Sequence, residues 1–225
     1  IENHIFPKLK CSYTVCQSIA DYYNTKYGMK MTVIKNVPYL HQSMPKPEKK
    51  DFKTIIYQGA LNKGRGLESV IRAMQTVSDA KLIIIGDGDI RSELEELTVQ
   101  MSLQGKVQFL GKILPDDLKS FTLNADLGLC LLDNLGLSYY YSLPNRIFDY
   151  LHAGIPVLAS DFPEIRKIVE TYKTGVLVSH HEPDYLSRVI NEILQIPFDT
   201  SQFSEIAKIF CWEEEEKILM QKINN

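Results

Sequence analysis

The chain has 225 residues, 44% of them hydrophobic and 24% charged, with twelve Tyr, one Trp and a formal net charge of -3. A chain of this length buries roughly 70% of the surface its unfolded form exposes, and its composition excludes the disordered and fibrous classes. The slightly acidic balance supplies no overall basic field for nucleic acid, and no apolar run approaches the roughly 18–20 residues of a membrane span.

The opening IENHIFPKLK has neither an initiator Met nor a signal-peptide pattern. A fragment of a longer protein is the expectation. Cys11, Cys16, Cys130 and Cys211 fit neither a zinc spacing nor a disulfide framework. They read as buried free thiols in a reducing, cytoplasmic compartment. YTVCQSIADYYNTKYGMKMTVIKNVPYL predicts a helix over about 15–27, stopped at Gly28, and a short strand at 31–35. MPKPEKKDFK, rich in Pro and Lys, then marks an exposed boundary that divides the chain into 1–48 and 49–225.

From Thr54 onward, short apolar runs alternate with amphipathic segments, the pattern of βα units. Strands are expected at 54–59, 81–86, 106–111, 126–132, 155–160 and 174–179, nearly continuous in Val, Ile and Leu as strands covered on both faces are. Helices are expected at 67–77, 90–102, 116–124, 144–153, 163–172 and 183–195. The predicted fold class is α/β, a Rossmann-like doubly wound, mostly parallel sheet of about six strands with helices on both faces. The closing CWEEEEKILMQKI reads as a helix whose four Glu favour the positive end of its dipole and form a solvated face.

In an open parallel sheet, ligands bind beyond the carboxyl ends of the strands. Two loops on that edge carry suggestive residues. QGALNKGRG places Gly59, Gly64 and Gly66 around Lys63 and Arg65; glycines admit a phosphate to the backbone, and a cation adds a charge-assisted hydrogen bond. It matches neither GxxxxGK[ST] nor GxGxxG, so a phosphate-binding turn and a plain turn both stand. The second loop, DNLGLSYYYSLP, is long for a βα connection. Ser142 is expected as N-cap of the next helix, with Pro144 in its first turn and the amides of Leu143 and Asn145 facing an anion.

Asp149 then has Asn145 and Arg146 as surface neighbours on that helix, with Ile147 and Leu151 on the core side. Either Arg146 and Asp149 form a surface ion pair worth under about 1 kcal/mol, or Asp149 accepts from sugar hydroxyls while Arg146 meets a diphosphate. His152, His180 and His181 show no metal-ligand spacing and no acidic partner, and read as solvated or packed. Asp87 and Asp161 read as turn formers and caps.

In order along the chain, YQGALNKGRGLESVIRAM, KLIIIGDGDIRSELEEL, VQFLGKILPDDLKSFTLNADLGLCLL, SLPNRIFDYLHAGIPVLASDFPEI and TGVLVSHHEPDYLSRVI resemble the C-terminal domain of glycosyltransferase family 4. These are retaining, metal-independent enzymes of two facing Rossmann-like domains, the GT-B fold. The resemblance spans essentially the whole chain. It implies that 1–48 is the end of an N-terminal domain with its interdomain segment, and that 49–225 is the nucleotide-sugar-binding domain with its closing helix. The acceptor domain, roughly another 150 residues, is missing, and the isolated chain is expected to be inactive.

The resemblance further implies a UDP- or GDP-sugar as donor substrate, no cofactor, and an acceptor glycan or lipid-linked sugar bound by the missing domain. Only through that domain would the protein meet a membrane surface. The family's basic residue and glycine fall on Arg65 and Gly66, with Lys63 beside them and Gly59 as the close-approach residue; the arginine of many relatives is here Ala60. Of the family's paired glutamates, the second falls on Asp149 and the first on Tyr141. A branch of the family reads S-x-P-x-K-x-x-E-Y, which SLPNRIFDY resembles with Arg146 for the lysine and Asp149 for the glutamate. Arg65 and Arg146 would stabilise the leaving diphosphate. A non-catalytic nucleotide-sugar-binding module and another GT-B enzyme, such as a sugar-nucleotide epimerase, are the rival expectations.

Overall fold

The computed structural model describes residues 2–9, 11–40, 51–196 and 198–223. The expected boundary at 48/49 lies outside the described residues. Six strands form one parallel sheet: β3 (Lys53–Gln58), β4 (Ala80–Ile85), β5 (Val107–Gly111), β6 (Leu127–Cys130), β7 (Val157–Ser160) and β8 (Gly175–Val178). They follow a small parallel pair, β1 (Tyr13–Thr14) and β2 (Thr32–Val33). The large sheet has the order β5-β4-β3-β6-β7-β8. The chain therefore runs outward from β3 to one edge, then returns to lay β6 on the other side of β3. The crevice where that order reverses is where a doubly wound sheet receives its ligand.

The helices are α1 (Glu2–Ile5), α2 (Gln17–Tyr27), α3 (Leu67–Ala73), α4 (Arg91–Gln100), α5 (Pro115–Leu123), α6 (Leu137–Tyr140), α7 (Arg146–Ala153), α8 (Pro163–Tyr172), α9 (Pro183–Gln195), α10 (Phe203–Ile209) and α11 (Trp212–Ile223). Alternation along β3 sends Ile55 and Tyr57 into one core with α3, α4 and α9, and Ile56 into the other with α7, α8 and α10. That double coverage is why the strands read as unbroken apolar runs.

Each expected strand overlaps an observed one, and α8 and α9 keep the residues expected of them. Other boundaries moved. The helix expected at 67–77 stops at Ala73, although Val77 beyond it is fully buried; apolar periodicity reported burial there, not helix. The helix expected from 144 begins at Arg146. At Gly28 the left-handed conformation, φ 64°, closes α2 as expected.

Buried acids tie the first segment to the sheet domain. Glu164 Oε1 accepts from the Ser18 amide and hydroxyl at 3.1 and 2.5 Å, at the start of α2. Burial pushes the Glu164 carboxyl up, but the hydrogen bonds of Lys167 and Ser18 outweigh it and hold it below its ordinary value. Glu215 accepts from the Lys35 amide at 2.8 Å and Nζ at 3.1 Å, and is only 2% exposed. The reading of the Glu run as a wholly solvated face is therefore corrected: one of its acids is a buried anchor. Cys11 is exposed, whereas Cys16, Cys130 and Cys211 are buried as expected. No helix among the described residues is long and apolar enough to cross a membrane.

Candidate functional site

A cleft of about 400 Å³ opens beyond the end of β3, lined by Gln58 and Gly59 from the strand end, Arg65 from the following loop, Leu118 of α5, and Pro144, Asn145, Arg146 and Asp149 around the start of α7. A second groove, about 430 Å³, runs between α2 and Tyr141. Only the first is lined by residues whose buried side-chain donors lack a partner: Arg146 Nη1 and Arg65 Nε.

Arg146 opens α7 and is 8% exposed, its guanidinium 4.5 Å from the centroid of the Tyr57 ring. Burial works against its charge, yet the surrounding Tyr57, Cys130 and Tyr150 outweigh that and keep its proton held tightly. A desolvated cation with no carboxylate paired to it among the described residues is costly, so this arrangement is poised for an anion. Gly59 clears the space: its φ of 135° suits only glycine, and a Cβ there would stand 3.4 Å from Arg146 Nη2. Arg65 makes a cation–π contact of its own, 5.2 Å from the Tyr139 ring. The Tyr139 hydroxyl donates to the Lys63 carbonyl and the Asp133 amide to the Gly64 carbonyl, fastening the long connection over the glycine-rich loop.

Asp149 is three residues along α7 from Arg146, but no ion pair joins them among the described residues. Instead Asp149 Oδ2 accepts from Gln58 Nε2 at 2.8 Å, and Gln58 Oε1 accepts from the Thr122 hydroxyl at 2.8 Å. Burial pushes the Asp149 carboxyl up to about 6, with Gln58 and then Arg146 pulling the other way. The surface ion pair is thus replaced by a half-buried acid on a polar chain. Sequence reasoning missed Gln58 and Thr122; the one signal was a polar residue ending the apolar run TIIYQ.

Other expected residues lie elsewhere. Lys63 is exposed and does not line the cleft. Gly66, at φ 65°, packs the loop against Leu131, where a Cβ would come within 2.7 Å of that side chain. Ser142 does not cap α7: its hydroxyl donates to the Tyr139 carbonyl at 2.7 Å, and Asn145 takes the N-cap position without a side-chain hydrogen bond. The Leu143 side chain is buried in the core behind the helix, while Pro144 and Asn145 line the cleft.

His181 has the acidic partner the sequence did not reveal. Its Nδ1 meets Asp133 Oδ1 at 2.8 Å and its Nε2 meets Ser160 Oγ at 2.8 Å. The geometry imitates a nucleophile triad, but Ser160 is buried and already exchanges hydrogen bonds with the Leu132 amide and carbonyl. This is a strap between β6, β7 and the segment after β8. No group of three or more His, Cys, Asp or Glu among the described residues could hold a metal ion.

The six-stranded parallel sheet flanked by helices is the Rossmann-like domain of a GT-B fold. Residues 41–210 match the family model of Glycosyl transferases group 1, and the chain belongs to that family. It is 31% identical over 147 residues to an uncharacterized glycosyltransferase of Methanocaldococcus jannaschii, a match covering 64% of this chain and 36% of that protein. It is 24% identical over 205 residues to the O-antigen chain mannosyltransferase RfbU of Salmonella typhimurium, covering 85% of this chain and 56% of that protein. Among solved structures, Anabaena HepE in complex with UDP-glucose superposes with a TM-score of 0.80 at 17% identity, over 99% of this chain and 65% of that one. The chain spans between 36% and 56% of these two curated relatives.

Proposed function

We propose that this chain is the donor-binding part of a retaining, metal-independent glycosyltransferase of family 4, transferring a sugar from a UDP- or GDP-sugar to an acceptor glycan or lipid-linked sugar. The observation that carries the reading is the pair of buried, unsatisfied guanidinium donors, Arg146 Nη1 and Arg65 Nε, on residues lining one cleft at the sheet's switch point. A diphosphate in that cleft would lie against both guanidinium groups. As the glycosidic bond breaks, negative charge grows on that diphosphate, and donors fixed in advance stabilise it more in the transition state than in the ground state. Asp149, walled in beside Arg146, accepts from a ribose or sugar hydroxyl.

The division at 48/49 makes the first segment the end of an acceptor domain, with the sheet domain holding the donor. The acceptor and part of the catalytic cleft belong to roughly 150 residues outside this chain, so the isolated chain does not turn over. A cytoplasmic setting, where nucleotide sugars are at hand, fits the reading, with any membrane contact made through that other domain. The relatives support transfer over epimerisation, since those named for an activity are glycosyltransferases.

Calorimetric titration of UDP, GDP and their sugars tests the site. Wild type binds at least one of them, and Arg65→Ala weakens it by about 10- to 100-fold, the loss of one charge-assisted hydrogen bond of roughly 1.5–3 kcal/mol. No binding by wild type, or equal binding by the variant, contradicts the assignment.

A further inference from the structure

Gln58 is a buried amide, 5% exposed, at the end of a strand with apolar neighbours. The diphosphate contacts make no use of it. Both its ends are nevertheless committed: Oε1 accepts from Thr122 on α5, itself buried, and Nε2 donates to Asp149 on α7. Three side chains thus form a line from α5 across the end of β3 to the cleft.

The line has a direction. The Thr122 hydroxyl carries one proton and has two acceptors in reach, Gln58 Oε1 at 2.8 Å and the Leu118 carbonyl at 3.0 Å. Given to Gln58, that proton holds the amide oxygen toward α5 and the amide N–H toward Asp149. This orientation suits a carboxylate, which only accepts. Turned over, the amide would present its oxygen to Asp149 and demand a protonated acid. Asp149 Oδ1 makes no hydrogen bond with the described residues.

We propose that Gln58, oriented by Thr122, is a positioning residue that turns the Asp149 carboxylate so that Oδ1 accepts a hydrogen bond from a hydroxyl of the nucleotide sugar. This rests on the donor-site reading above and adds two residues to it. The charged or titratable groups around Asp149 are Arg146 on its own helix, Arg65 across the cleft, and Tyr57 and Tyr150 beside them. From α5 it is faced by Leu118 and Thr122, which do not titrate. Against burial, the Gln58 hydrogen bond is the largest influence favouring the ionised acid, ahead of Arg146.

The test titrates UDP, GDP and inorganic pyrophosphate against the full chain from pH 5 to 8.5, as wild type, Gln58→Leu and Thr122→Val. Pyrophosphate reports the arginines and the phosphate's own titration, so the difference between ligands isolates Asp149. Nucleotide affinity in wild type rises as Asp149 ionises through about pH 6. Gln58→Leu moves that midpoint up by about one unit, giving binding about fivefold weaker at pH 6 and approaching tenfold at pH 5, with a difference that closes toward pH 8.5. Thr122→Val moves it the same way by less, and serves alone if Gln58→Leu does not fold. Pyrophosphate binding is unchanged in both. A loss that is uniform with pH, or that affects pyrophosphate equally, makes Gln58 merely structural and overturns the inference while leaving the donor site standing. Wild type that binds none of the three ligands overturns the donor reading and this inference with it.

Discussion

Asp149 sits in tension between stability and binding. Burial raises its carboxyl from 3.8 to about 6, so between those values the folded chain holds a proton that the unfolded chain has released. The native state then binds more protons, and stability falls as pH rises through that window. A two-unit shift corresponds to about 3 kcal/mol at most, and partial solvent access reduces this to roughly 1–2 kcal/mol. Asp149→Asn, which still accepts from Gln58, is therefore more stable than wild type by that amount at pH 7 and no more stable at pH 4, while its nucleotide affinity drops. Thermal melts across that range, paired with calorimetry, check both signs. At this scale the sequence showed which residue types converge: Arg65, Arg146 and Asp149 all reach one cleft. It did not show Gln58 as their partner, because the amide's anchor, Thr122, lies 64 positions away and no local period connects them.

The element that builds the site is α7, and its seat is a missing side chain. Tyr150 lies against Gly128 of β6, where a Cβ would fall 2.3 Å from the ring, and its hydroxyl donates toward the Leu129 carbonyl at 3.2 Å. Gly128→Ala must push the ring, and α7 with it, off the sheet. A loss of about 1–3 kcal/mol is expected for such overpacking, together with weaker nucleotide binding because Arg146 and Asp149 move with the helix. Gly105→Ala, where a Cβ meets nothing within 4 Å, is the matched control and leaves both unchanged in denaturant melts and titrations. Elements with a full apolar period, such as α8 and α9, were legible in the sequence. The start of α7 was not, because Ser142 spends its hydroxyl on the Tyr139 carbonyl and Leu143 turns into the core. The seven residues of α10 were missed as well, being too few to display a period. This helix packs on α7.

Across the molecule, two buried acids hold the first 40 residues to the sheet domain. Glu215 reaches back 180 positions to the Lys35 amide and ammonium, and the Trp212 amide donates to the Pro38 carbonyl at 2.8 Å. Glu215→Ala removes the acceptor of the part-buried Lys35 amide. It is expected to destabilise the chain by about 1–3 kcal/mol and to expose α2 to proteolysis before the sheet domain unfolds, which timed digestion with mass spectrometry reads directly. Charge counting saw a solvated acid run, since nothing local marks which of four consecutive Glu turns inward. The doubly wound, parallel class of the sheet, by contrast, followed from the alternation of strand and helix patterns along the chain, and the structure adds its order. With the order comes the switch point between β3 and β6, where the two arginines stand. The central claim is that their guanidinium groups hold a diphosphate, and a crystal structure of the chain with UDP or GDP tests it most directly. The account predicts diphosphate oxygens within hydrogen-bond distance of both the Arg146 and the Arg65 guanidinium groups. A nucleotide bound elsewhere, with neither arginine in contact with it, would contradict it.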